Sequence, residues 1–297
     1  MLAVALTMPV YGAILFNPVF DSTITSDPNA VTIEATINSA LAVYSAKISN
    51  DITVGLNFSE MTSGLGQSST YFSNISYSSF MAALIAGASP DTTDSTALAH
   101  LPNGTINPVD GSTTISVTTA NLRALGLNVN PPAGQPDSFI GLNTSIMNLD
   151  RNSIDPSKYD LMAVVSHEVD EALGLGSGLN GGNVRPEDLF RYASGGARSY
   201  TTSSAATSFF SLDGTTDLVS FNQSGGGADY GDWASSGVPR VQDAFGTAGA
   251  TPNLGVELTV LDAIGYNLAT APVPEPGTWA LFGFALVGLA GLKRLRG

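Results

Sequence analysis

The chain has 297 residues, only 12% of them charged, with a formal net charge of −14 and no cysteine. The missing cysteines exclude disulfides, thiolate-ligated zinc, iron–sulfur clusters and thiol catalysis. Three of the eleven Lys and Arg (Lys293, Arg294 and Arg296) stand in the last five residues, leaving eight against 25 acids elsewhere. That balance repels phosphate backbones and excludes nucleic acid as a partner.

Residues 1–13 read MLAVALTMPVYGA, an apolar run followed by small residues. This is the pattern of a signal-peptide h-region and cleavage site, with a cut expected after Ala13. The basic n-region is missing, which points to a start further upstream; the competing reading is a buried first strand. Residues 30–49 place Ile33, Ile37, Ala40, Leu41 and Tyr44 at helical spacing and predict an amphipathic helix. Residues 52–58 alternate apolar and polar side chains, as a half-buried strand does. A second helix is expected over 77–86, stopping at Gly87 and Pro90. Residues 114–118 and 138–142 read as strands, with a helical stretch at 119–125 after the first. A long helix then follows over 155–173, with Asp155 as N-cap, Pro156 in the first turn and Gly174 as the exit.

Beyond Gly176 the chain is rich in Gly, Ser and Asn, and these loops separate short apolar pieces at 188–192, 209–212 and 218–221. A last helix is expected over 256–266. Strands first, a central helix and a loop-rich C-terminal half predict an α+β fold. The stretch 225–229 is a single Gly-rich acidic segment, a candidate calcium loop.

The C-terminus runs Val273-Pro-Glu-Pro-Gly-Thr-Trp279, then an apolar stretch over 280–292, then Lys293-Arg294-Leu295-Arg296. The apolar stretch is shorter than the roughly 20 residues of a full span, but Trp279 and the terminal cations can anchor its two interfaces. The cations would stay on the cytoplasmic side, with the body outside. This three-part order resembles the PEP-CTERM sorting signal of Gram-negative bacteria. The resemblance implies export, an exosortase-type sorting enzyme as partner and cleavage of the tail; an ordinary membrane anchor would also place the body outside. The expected division is a signal peptide at 1–13, a folded body at 14–271 and a sorting tail at 272–297.

The segment with most chemistry is Val164-Val-Ser-His-Glu-Val-Asp-Glu-Ala-Leu-Gly-Leu-Gly-Ser177. Residues four apart on a helix share a face, so His167 and Glu171 project side by side and can grip one zinc ion. Glu168 lies about 100° further round, where a general base for water belongs. These residues resemble the zincin metalloproteases, whose helix carries His-Glu-x-x-His, and lean towards the metzincin version through Gly174. Two positions depart from that pattern: Glu171 stands for the second His, and Ser177 stands at the third ligand. Tyr159 to Glu168, Asp188-Leu-Phe-Arg-Tyr192, Gly231-Asp-Trp233 and Leu261-Asp-Ala-Ile-Gly-Tyr266 are similar to a family of bacterial metalloproteases known by prediction, often with the same tail. The resemblance implies a metzincin-like fold and peptide-bond hydrolysis.

A catalytic zinc site needs three protein ligands and an open position. The chain has only two histidines, His100 and His167, so the site must be rich in carboxylates. The third ligand is open among Asp188, Asp232 and His100; Asp188 is preferred because a short Gly-rich loop can turn it back to the helix. One His with two carboxylates also suits Mn, Fe(II) or Ca. The plain alternatives are a core histidine at His167, a solvated acidic face at Glu168, Asp170 and Glu171, and a surface ion pair or strut for Asp188 with Arg191. Two functions follow: an exported metallopeptidase in which Glu168 activates water at a metal held by His167, Glu171 and Asp188, or a non-catalytic zincin-like matrix or adhesion protein. A carboxylate-pair glycosidase using Glu168 and Glu171 is disfavoured, because such enzymes bring their acids from opposite sides of the substrate.

Overall fold

The computed structural model describes residues 12–224 and 229–269. The apolar run of the expected signal peptide, most of the candidate calcium loop and the whole sorting tail lie outside those residues. Within them the chain is a mixed α+β structure. Strand β1 (Leu15–Phe20) leads through one helical turn, α1 (Ser22–Thr25), to the long helix α2 (Ala30–Lys47). Then come β2 (Thr53–Glu60), β3 (Gly66–Thr70), β4 (Phe72–Ser76), α3 (Tyr77–Gly87) and α4 (Thr92–His100). Strand β5 (Thr114–Thr118), α5 (Thr119–Ala124) and β6 (Ser138–Leu142) complete the first half.

The main sheet has the order β1-β2-β6-β3, with β1, β2 and β6 parallel and β3 antiparallel to β6. Strand β1 is an edge, which is why it tolerates Pro18. Strands β4 and β5 form a separate antiparallel pair. Helix α2 buries Ile33, Ile37, Ala40, Leu41 and Tyr44, the five residues its periodicity selects.

The central helix, α6 (Leu161–Leu173), starts six residues later than the sequence reading expects. Turn chemistry wins at Asp155: its side chain accepts from the Ser157 N–H at 2.9 Å, and its backbone carbonyl accepts from Lys158 at 3.1 Å. Tyr159 and Asp160 then pair in parallel with Met147 and Asn148. The true N-cap is Asp160, whose carboxylate accepts from the Ala163 N–H at 3.2 Å and pairs with Arg151. The expected exit holds: Gly174 takes φ 130°, a conformation costly to any residue with a Cβ.

Helix α6 packs its Leu161, Val165, Val169 and Leu173 side against the core. Tyr44 of α2 fixes its rotation, donating from its hydroxyl to the Ser166 carbonyl at 2.8 Å and to Asp170 Oδ1 at 2.9 Å. Asp170 is fully buried, so the acidic residues of α6 do not form one solvated face. The loop-rich half contributes a small three-stranded sheet from Arg191–Tyr192, Phe209–Phe210 and Val219–Ser220. Helix α7 (Val256–Ala263) ends three residues early, ahead of Gly265 at φ 112°. No helix of the described residues is long and apolar enough to cross a membrane.

Candidate metal centre

A cleft of about 720 Å³ runs between strand β3, helix α6 and the loop carrying Val241 and Phe245. His167, Glu171 and Asp232 meet on its floor, each offering one ligand atom within 4.8 Å of the others. His167 Nε2 lies 3.8 Å from Glu171 Oε1 and 3.6 Å from Asp232 Oδ1. Two ligands at zinc-bond length and tetrahedral angle stand about 3.4 Å apart, so this spacing fits one divalent ion.

The imidazole is oriented from behind. Its Nδ1–H donates to the Val241 carbonyl at 3.1 Å, which turns Nε2 towards the two carboxylates. Burial alone would push the imidazole down, but the charges of Asp232, Glu168 and Glu171 outweigh it and hold it at about 10. Glu171 is steadied by Ser68 of β3, whose hydroxyl donates to its Oε2 at 2.6 Å. Gln242 donates to Asp232 Oδ1 at 3.0 Å. Burial pushes the Asp232 carboxyl up to about 7, and burial followed by the Glu171 charge pushes the neighbouring Asp229 up to about 6.

Asp232 reaches this position because its neighbours are locked. Gly231 packs directly on Gly176, just past the end of α6, where a Cβ would collide with the backbone. Trp233 is fully buried, lies 5.1 Å from the Phe221 ring, and donates its indole N–H to Glu257 at 3.0 Å. Arg191 is a buried strut: it donates to the Tyr230 carbonyl, with its guanidinium 4.3 Å above the Phe221 ring. It forms no ion pair with Asp188 among the described residues.

The preferred third ligand of the sequence reading, Asp188, lies apart from this cluster. It accepts from the Ser177 hydroxyl at 2.5 Å and from the Gly178 and Arg185 N–H groups, each at 2.8 Å. Ser177, at the motif's third-ligand position, and Asp188, preferred for its loop, thus satisfy each other and close the loop after α6. His100 is also absent from the centre; it is exposed at the end of α4, its ring bonded to the Thr96 carbonyl at 2.8 Å. Asp232, weighed as the alternative, is the residue that converges with His167 and Glu171.

Glu168 lines the same cleft one helical step from His167. It is buried, no N–H or hydroxyl donor reaches its Oε2, and its carboxyl lies within hydrogen-bonding reach of Glu171. Burial, followed by the Glu171 charge, pushes this carboxyl well above the usual range. The sequence reading did not single out Gln242, Val241 or Ser68, the residues that orient these three side chains. They carry no spacing signal, because each reaches the helix only through tertiary packing.

The PEP-CTERM protein-sorting motif matches residues 272–294. Such a tail marks an exported, envelope-directed protein and implies recognition by an exosortase-type sorting enzyme. No curated protein and no solved structure matches the chain.

Proposed function

We propose that this protein is an exported metal-dependent peptidase, with a divalent ion held by His167, Glu171 and Asp232 and with Glu168 as the general base. The observation that carries the reading is the convergence of those three donors on the cleft floor, beside a buried carboxyl with an unpaired oxygen. An ion bound there would act as a Lewis acid on a peptide carbonyl and make water easier to ionise. Glu168 takes a proton from the attacking water and passes it to the leaving amine; its raised proton affinity suits it to hold that proton between the two steps.

Strand β3 is the antiparallel edge of the main sheet, and its Gly66, Gln67 and Ser68 border the cleft. A peptide can add to that edge as a further strand, which lays its backbone across the cleft floor. An edge strand beside the helix of His167 and Glu168 also agrees with the zincin-like fold that the motif implies. Two carboxylates leave less charge on the ion than a three-His set would, so zinc and manganese both suit the site. The body works outside the cytoplasm, and the tail serves as an inner-membrane segment until an exosortase-type enzyme processes it.

The test is hydrolysis of an unfolded protein substrate by the full-length, zinc- or manganese-loaded chain, read as fragments by mass spectrometry. Glu168→Gln should lower the rate at least about 100-fold while bound metal and folding stay intact. Full activity in that variant would remove Glu168 from the mechanism. Absence of hydrolysis by the loaded wild-type chain would favour the non-catalytic surface protein.

A further inference from the structure

A second group of acids lies outside the cleft, where the start of α4 meets the end of α7. One carboxylate oxygen from each of Asp91, Asp94 and Asp262 lies within 4.8 Å of the others. Asp91 caps α4, accepting from the Asp94 N–H at 2.9 Å, and Ser89 donates to both Asp91 and Asp94. Those contacts alone would describe an ordinary helix cap.

Asp262 does not fit that description. It is only 2% exposed, and its Oδ1 is buried with no hydrogen-bond partner; the Thr93 hydroxyl and the Leu268 N–H reach the carboxyl but offset its burial only in part. It also stands in the last turn of α7, where the helix dipole opposes a negative charge. Among the described residues no Lys or Arg forms an ion pair with any of the three. Burial, followed by the Asp91 and Asp94 charges, pushes the Asp262 carboxyl up to about 7. Three acids crowded at one buried junction without a counter-charge leave a cation as the missing partner.

We propose that Asp91, Asp94 and Asp262 form a structural calcium site that clamps α7 to α4. The donors are all hard oxygens, with no nitrogen or sulfur, which selects Ca²⁺ over zinc. Asp91 and Asp94 also line a surface groove, so the ion has a path in and water can complete its shell. An exported protein meets free calcium high enough to fill even a site of modest affinity. Helix α7 is the last described helix before the sorting tail, so the clamp secures the body at the point where the tail departs.

The experiment is calcium titration of the full-length, chelator-treated protein, followed by thermal unfolding. Three chains are compared: wild type, His167→Ala to silence the cleft centre, and Asp262→Asn. Saturating calcium should raise the midpoint by roughly 5 °C in wild type and in His167→Ala, and by nothing in Asp262→Asn. Asp262→Asn removes the uncompensated charge, so in chelator it should melt at or above the wild-type midpoint. Should that variant not fold, Asp91→Asn, at a partly exposed position, gives the same reading as a weakened calcium response. No calcium response in wild type, or an equal response in the Asp variants, would overturn the site.

Discussion

Gly66 of strand β3 lies against Glu168 of α6, so close that a Cβ there would collide with the Glu168 carboxyl and come within 2.8 Å of Val164 Cγ1. The edge strand and the helix can approach this closely only because residue 66 has no side chain. Gly66→Ala should push the Glu168 carboxyl out of position without touching a metal ligand. We expect activity to fall about 100-fold with metal content unchanged. Steady-state kinetics beside elemental analysis checks this, and undiminished activity would show that Glu168 does not need its present position.

Asp188 and Asp232 should separate cleanly. Asp232→Ala removes a ligand and should weaken metal binding by more than about 100-fold, since outer-shell changes alone cost 10–100-fold. Asp188→Ala should leave metal affinity unchanged but leave the Gly178 and Arg185 N–H groups without their acceptor, destabilising the protein by about 3 kcal/mol. Metal titration and denaturant unfolding of the two variants give opposite results on this account. Metal loss in Asp188→Ala with Asp232→Ala unaffected would restore Asp188 as the ligand.

What the sequence made legible was whatever local periodicity carries. Helix α2, strands β5 and β6 and the Gly174 exit of α6 follow from apolar spacing and one glycine. The helical pairing of His167 with Glu171 follows from the four-residue interval. Strands β3 and β4 were not legible, because GQSST has no apolar side chain and FSNIS sets its two, Phe72 and Ile75, three apart, so neither alternates. The residue that joins His167 and Glu171 was not legible either: Asp188 is nearer in sequence, but Asp232 is delivered by the contact of Gly231 with Gly176 and by the burial of Trp233. The N-cap of α6 was misplaced because Asp155-Pro156 carries the same capping chemistry as a turn.

Proton binding should make the metal-free protein lose stability as pH rises. Asp232 and Asp262 are held up at about 7 in the folded state, against an unfolded value near 4. Their contribution is full below about 4 and is lost as pH rises through about 7. His167, held up at about 10, acts in the same direction from about 6.5 to 10. In chelator the unfolding midpoint should therefore fall between pH 5 and pH 8. Added zinc and calcium should flatten that slope by taking the place of the protons. A midpoint that rises over this range in chelator would contradict the picture of uncompensated buried acids.

The central claim is that His167, Glu171 and Asp232 hold a divalent ion, and metal content tests it most directly. Full-length protein is analysed by elemental mass spectrometry after exposure to zinc and manganese, beside His167→Ala and Asp232→Ala controls of verified fold. The account predicts about one zinc or manganese per wild-type chain, lost in both controls. A folded wild-type chain that binds neither metal, or that binds it equally in the controls, would contradict it.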